Sequence, residues 1–361
     1  KCFEYDKLQL KDSEKLLDAL QRYHGTDGTP YFSLIHKGVK FNQYVGIIQV
    51  GAQQIEILPK VDKLDNEKVK WRDVLIQMLR ITSGIEAEAT SESQLRIQPN
   101  SIFDLYIELF VKECEKLTHR GLIKRYQRRR ENKRALKGRL DITGQIKHNL
   151  VHKERFHVEY SSYDKDHLIN KILKKTLVVL SKLPTAAPFI GRIKKQLLFF
   201  EDVSDFVPTQ SAFNSIMFGR KNEHYKKAIQ IARLILLNYH PDISRGQQHV
   251  LALMFDMNKL WEKYITMQMR RYLRDHYKVM PQHKRIFWKS TNGKKKRLSP
   301  DIILDSKKDD NRIIIDTKWK LPKDMKPSDQ DLRQMFAYNR LFDSRQSILL
   351  YPGTDASLEG R

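Results

Sequence analysis

The chain has 361 residues, with 67 Lys+Arg against 43 Asp+Glu and a formal charge of +24. Apolar residues make up 40% and charged ones 30%, enough to bury a core, which excludes a wholly disordered basic tail. Two cysteines, Cys2 and Cys114, exclude a disulfide framework, and no apolar run of about 18 residues exists to cross a membrane.

Lys1 is not an initiator Met and no signal-peptide pattern follows it. The expectation is a cytoplasmic protein, trimmed at one or both ends and without a membrane partner. The positive excess favours a polyanion, because phosphate backbones attract such a surface by releasing counterions, without need of sequence.

In chain order, residues 13–24 have the spacing of a short helix. Runs at 39–41, 44–50 and 54–58 are β-rich, broken at Gly51-Ala52 and closed by Pro59, a hairpin pattern. Helical spacing returns at 69–82. Ser101 opens a helix, with Asp104 at the capping-box position. Further helices are expected at 166–183, 190–200 and 223–238, with Pro184, Pro188 and Pro208 at the breaks. A long helix is expected from 247 to 276. A basic stretch, a strand at 301–304, a polar turn, a strand at 312–316, a helix capped by Ser328 with Asp331 at the capping-box position, and a strand at 347–351 complete the chain. The expected fold class is α+β and multi-domain: an N-terminal β-rich, partner-docking region (1–100), a mainly helical middle (101–244), and a C-terminal α/β/α layered domain (245–361).

Chemistry concentrates near the end. Two apolar runs, Pro300-Asp301-Ile302-Ile303-Leu304 and Ile313-Ile314-Ile315-Asp316-Thr317-Lys318, flank a charged turn. A symmetric antiparallel hairpin centred between Lys308 and Asp309 sets Asp301 opposite Asp316, with Cα atoms about 4.5–5.5 Å apart. Strand alternation puts Asp316 and Lys318 on one face. Two carboxylates there suit Mg²⁺, with the Thr317 carbonyl as a further ligand. The ion would polarise a phosphodiester and lower the pKa of a bound water, and Lys318 would orient that water or stabilise developing charge.

An acidic-x-Lys triplet alone is cheap: Glu131-x-Lys133, Asp305-x-Lys307 and Asp324-x-Lys326 also occur. Only the 301–318 combination has two strands, mirror spacing and a capped helix after it. The bland alternative is an edge hairpin with solvated charges. Gln334 and Tyr338, four apart, share a helix face that could reach the site or serve only as surface. Glu262 offers a third carboxylate, though a solvated helix charge is the favoured reading there.

Two basic stretches fit a phosphate partner. Ten of the twenty residues from Arg120 to Arg139 are Lys or Arg, among them Arg128, Arg129 and Arg130. Eight of twenty from Lys278 to Arg297 are basic and none is acidic, with Lys294, Lys295, Lys296 and Arg297 at the end. Phe287 and Trp288 inside the second stretch could stack on bases. No P-loop is present, so the chain is not expected to hydrolyse nucleotides itself.

Asp301, Asp316 and Lys318 with Gln334 and Tyr338 resemble the pattern of the PD-(D/E)xK nuclease superfamily. QYVGIIQVG at 43–51, IEILPK at 55–60, LKGRLD at 136–141 and YDKDHLINKI at 163–172 make the chain resemble, more narrowly, the McrC family of McrBC modification-dependent restriction systems. That resemblance implies a Mg²⁺-dependent DNA endonuclease in antiviral defence. It also implies an N-terminal region that docks on, and stimulates, an AAA+ GTPase ring of McrB type. GTP would be bound by that partner, which reads the methylated cytosine. Asp301, Asp316 and Lys318 match the catalytic positions, with Asp where the family often has Glu. Trp319 takes a slot that is often another aromatic. Two other readings stay open: a non-catalytic DNA-binding regulator of the partner NTPase, and a stand-alone DNA-binding protein.

Overall fold

The computed structural model describes residues 1–10, 13–25, 28–61, 67–82, 101–240, 250–309, 311–322 and 326–353. The chain divides into two compact units, one made of residues 1–48, 54–98 and 254–361 and the other of 49–53 and 99–253.

The first unit begins with β1 (Cys2–Phe3), β2 (Lys7–Gln9), α1 (Glu14–His24), β3 (Phe32–Ile35), β4 (Gly38–Phe41), β5 (Tyr44–Val50), β6 (Gln53–Leu58) and α2 (Lys68–Thr82). The helices at 13–24 and 69–82 and the β-runs form as expected. In addition β1 pairs in parallel with β6, and β2, β4 and β3 make a small antiparallel sheet.

The second unit holds α3 (Ile102–Arg120), β7 (Arg125–Lys133), β8 (Arg139–Leu140), α4 (Ile142–Asn149), β9 (Phe156–Asp164), α5 (Leu168–Ser181), α6 (Ile190–Leu197), α7 (Gln210–Asn214), α8 (Lys226–Leu237), β10 (Tyr239–His240) and the first part of β11 (Val250–Asp256). Ser101 Oγ caps α3 by accepting from Asp104 N at 3.1 Å. The region is mainly helical, and it holds in addition a three-stranded sheet, β7-β9-β8, that the expectation from sequence does not include. Strand β7 carries the first basic stretch, and its sequence RYQRRRENK has no apolar stripe to announce a strand.

The long helix expected from 247 is corrected. Residues 247–249 lie outside the described residues, and 250–256 form β11 before α9 (Met257–Tyr272) begins. Asp256 stops the strand and caps the helix, its Oδ1 accepting from Asn258 N at 3.0 Å and Lys259 N at 3.2 Å. The second basic stretch is built of strands. It forms β12 (Tyr277–Pro281), β13 (Arg285–Lys289) and β14 (Lys295–Leu298). Then come β15 (Ile302–Ser306), β16 (Arg312–Thr317), α10 (Asp329–Phe342) and β17 (Gln346–Leu350).

A four-stranded sheet, β12-β15-β16-β17, organises this part of the first unit. β15 is antiparallel to both β12 and β16, and β16 is parallel to β17. Alternation sends Ile303 and Ile314 to one face, against Met335, Tyr338 and Phe342 of α10. Ile302, Leu304 and Ile315 go to the other, against Ile265 and Met269 of α9. The sheet is thus the middle of three layers. Burying each of these isoleucines contributes about 1.5–3 kcal/mol, which holds the two central strands in register. Among the described residues, no helix is long and apolar enough to cross a membrane.

Candidate functional site

The hairpin register follows the mirror spacing of its sequence. Ile302 faces Ile315, Ile303 faces Ile314, Leu304 faces Ile313 and Asp305 faces Arg312. One step further along sets Asp301 beside Asp316 at the strand ends. Both share the parity of Ile303 and Ile314, so their side chains belong to the α10 face.

Asp301 lies just before β15 and reaches across to the neighbouring strand. Its Oδ2 accepts from Thr317 N at 2.7 Å and from Thr317 Oγ1 at 2.8 Å. Thr317 therefore has a role beyond the backbone carbonyl expected from sequence: its amide and hydroxyl fix one oxygen of Asp301. The Asp301 carbonyl accepts from Gln282 N at 2.9 Å, carrying the β12 pairing past the strand end.

Asp316 is 2% exposed. Burial pushes its carboxyl above the ordinary range, and Asp301 and Asp331 add to this while Lys318 opposes it. The Lys318 ammonium stands 2.7 Å from Asp316 Oδ2. Beyond that ammonium, this buried oxygen has no hydrogen-bond donor. Lys318 N donates to Leu350 O at 2.9 Å, and Lys318 Nζ to Gln334 Oε1 at 3.1 Å. Burial disfavours the ammonium, but the hydrogen bond and attraction to Asp316 outweigh it, and its pKa rises.

Helix α10 supports this lysine. Gln334 Nε2 donates to Tyr338 Oη at 2.7 Å, and Tyr338 Oη donates to Ser299 O at 3.1 Å. The pair is thus built into the site and is not a surface pair. Glu262, from the middle of α9, is half-buried and accepts from Gln282 Nε2 at 2.8 Å. Burial, then Asp301, then Asp316 raise its pKa, so it stands within electrostatic reach of both aspartates and is not a fully solvated helix charge.

Two further supports make contacts that the local sequence does not show. Asp331, three residues after the cap Ser328, is buried and takes Ser328 Oγ at 2.7 Å and Lys320 Nζ at 2.6 Å. Its desolvation is outweighed by these partners, and its carboxyl is held below the usual range. Lys318 Nζ lies 3.8 Å from it as well. Trp319, next to Lys318, donates its indole N–H to Glu4 Oε1 at 2.8 Å and packs on Trp261, with ring centroids 5.3 Å apart. Glu4 also accepts from Lys60 N at 2.9 Å, and burial raises its pKa.

The donor set fits a hard divalent cation. The buried Asp316 Oδ2 has no donor besides the Lys318 ammonium, and an Asp301 oxygen is left over once Thr317 has taken the other. Among the described residues no set of three or more His, Cys, Asp or Glu is gathered to hold a metal. Two carboxylates completed by water are the common pattern for Mg²⁺.

The two basic patches differ. Lys294, Lys295, Lys296 and Arg297 lie exposed along the β13–β14 hairpin of the unit that holds the aspartates. Arg128, Arg129 and Arg130 belong to the other unit, on β7. There β9 supplies carboxylates that the local sequence does not show: Asp164 lies 2.7 Å from Arg129, and Glu159 3.1 Å from Arg130.

A family model described as "McrBC 5-methylcytosine restriction system component" matches residues 39–352. The chain belongs to this McrBC family. No curated protein matches it. Among solved structures, it resembles a half-complex from a tetradecameric assembly of Thermococcus gammatolerans McrB AAA+ hexamers with bound McrC. The identity is 20%, the TM-score 0.66, and the match covers 98% of this chain and 87% of that one. A second match is the Thermococcus gammatolerans McrBC complex, at 22% identity and a TM-score of 0.51, covering 75% of this chain and 87% of that one. At such identities the likeness is one of fold, and it carries this McrBC family member's architecture over nearly its full length.

Proposed function

We propose that this McrBC family member is the McrC-type subunit: a cytoplasmic, Mg²⁺-dependent DNA endonuclease of the PD-(D/E)xK type, working with an AAA+ GTPase ring of McrB type and stimulating its hydrolysis. One observation carries the chemistry. Asp301, Asp316 and Lys318 share one sheet face at the strand ends, with the lysine 2.7 Å from Asp316 and 3.1 Å from Gln334. The partner reading is supported by the solved structures that the fold resembles, in which McrC is bound to McrB hexamers.

Bound between Asp301 and Asp316, with the Thr317 carbonyl as a further donor, Mg²⁺ would polarise the scissile phosphodiester and activate water. The rest falls to the chain. Thr317 holds Asp301 in place by one oxygen and leaves the other for the ion. Gln334 and Asp316 aim the Lys318 ammonium, which remains charged at neutral pH and stabilises negative charge building on the phosphate. Glu262, its pKa raised, is placed to accept a proton near the aspartates. The net charge of +24 draws in the DNA backbone.

The test is Asp316→Ala, assayed with the partner ring, GTP, Mg²⁺ and methylated DNA. Cleavage is expected to vanish while assembly and stimulated GTP hydrolysis persist. Undiminished cutting would refute the assignment.

A further inference from the structure

The β13–β14 hairpin breaks a rule of soluble surfaces. Three consecutive large apolar residues, Ile286, Phe287 and Trp288, are 45%, 57% and 51% exposed. Such a run on an open ribbon is a liability unless it meets something. The pairing is also irregular. Arg285 faces Leu298 and Ile286 faces Arg297, but Trp288 faces Lys296, so Phe287 is the extra residue of a bulge. A bulge re-aims the side chain it carries. The tip is closed by Ser290 N donating to Lys294 O at 2.7 Å, with Gly293 at φ +80°, a conformation that favours glycine.

The charge around this ribbon selects the occupant. Residues 284–298 contain seven Lys or Arg and no Asp or Glu. Arg285 is used structurally, donating to Leu341 O at 2.8 Å and pairing with Asp343 at 3.0 Å. Among the described residues, Lys284, Lys289, Lys294, Lys295, Lys296 and Arg297 have no ion-pair partner. The β7 patch, by contrast, is partly neutralised by Glu159 and Asp164. Lys284, Lys295, Arg297 and Ser299 line one open concavity at the base of the hairpin.

Both feet of the ribbon stand on the candidate site. Before β13, Gln282 bonds the Asp301 carbonyl at 2.9 Å and Glu262 at 2.8 Å. After β14, Ser299 accepts from Tyr338 Oη at 3.1 Å, and Asp301 follows two residues later. A two-stranded ribbon is narrow enough to enter a groove of duplex DNA.

We propose that the β13–β14 hairpin is a DNA-groove arm: its unpaired cations straddle the backbones of a duplex, and the bulged Phe287, backed by Trp288, wedges between base pairs beside the phosphodiester to be cut. Only the final clause rests on the nuclease reading. Apolar wedges of this kind unstack a step and bend the duplex. The bend would present the backbone to Asp301 and Asp316.

The experiment uses the full chain without divalent metal, so binding is read apart from cleavage. The probe is a fluorescein-labelled duplex, with a second version carrying 2-aminopurine. Wild-type protein is expected to raise 2-aminopurine fluorescence on binding. Phe287→Ala/Trp288→Ala should abolish that rise, weaken binding about 5- to 150-fold for each base stack removed, and leave the salt dependence unchanged. Replacing Lys294, Lys295, Lys296 and Arg297 by Ala should instead flatten the log–log salt slope by about 0.9 for each phosphate no longer neutralised. All these side chains are exposed, and an unchanged thermal melt shows that each variant folds. The proposal is overturned if wild type gives no fluorescence rise, or if the aromatic variant binds the duplex normally. Normal duplex binding with lost assembly on the partner ring would assign the surface to a protein instead. With Mg²⁺ and the partner ring then added, absence of cleavage by wild type whose binding results are as expected would count against the nuclease reading and not against the arm.

Discussion

Lys318→Ala separates the lysine's structural role from its chemical one. Asp316 is 2% exposed, and the nearest cation to its Oδ2 is the Lys318 ammonium at 2.7 Å. Removing one partner of a fully buried ion pair costs about 3–5 kcal/mol. The Lys318 side chain is 25% exposed, so water can partly replace it, which favours the lower end of that range. For a unit of this size about 3 kcal/mol corresponds to a fall in Tm of roughly 6–12 °C. Burial already raises the Asp316 pKa, and losing Lys318 removes an opposing influence. A carboxyl whose folded pKa is raised favours folding below its unfolded pKa, and that contribution is lost as pH rises through the folded value. The Lys318→Ala deficit should therefore be largest near neutrality and shrink as pH falls toward about 4. Mg²⁺ should recover more stability in the variant than in wild type, because the ion replaces the missing positive charge. Calorimetry across pH, with and without Mg²⁺, reads all three effects. A variant as stable as wild type at every pH and indifferent to Mg²⁺ would refute the pairing argument.

Gln334→Ala unties the lysine from α10 and should lower cleavage about 10- to 100-fold with partner assembly intact, measured as single-turnover cutting. Trp319→Phe keeps the ring but removes the N–H that Glu4 accepts at 2.8 Å. It should destabilise by about 1–3 kcal/mol in urea unfolding, and because burial raises the Glu4 pKa, the loss should grow with pH. Ser328→Ala removes the cap that accepts from Asp331 N at 3.2 Å and donates to Asp331 Oδ2 at 2.7 Å, and should cost about 1 kcal/mol in the same assay.

The two central strands and their aspartates were legible because their apolar runs mirror one another about a charged turn. Alternation then fixed which side chains share a face. The cap at Ser328 and the Gln334–Tyr338 pair were legible from helix spacing. Other elements left no such trace. The run VLALMFD in β11 is apolar throughout, and a short buried strand of that kind cannot be told from a helix by periodicity. β7 and β14 are almost wholly polar and β13 leaves its apolar run exposed, so no buried face marks any of them. Their ordering comes from tertiary pairing, such as Arg130 with Glu159 across β7 and β9. Asp331 was visible only as a helix cap, and nothing local joins it to Lys320. Glu4 and Trp319 lie 315 residues apart, and only the folded chain brings that carboxylate to the indole beside the site lysine.

A divalent ion held by the paired aspartates is the central claim. Crystals soaked in Mn²⁺ and measured at its absorption edge test it directly. One anomalous peak is expected between the Asp301 and Asp316 carboxylates and the Thr317 carbonyl, absent from Asp316→Ala crystals. No peak there at saturating Mn²⁺, or a peak that survives in Asp316→Ala, would contradict the claim.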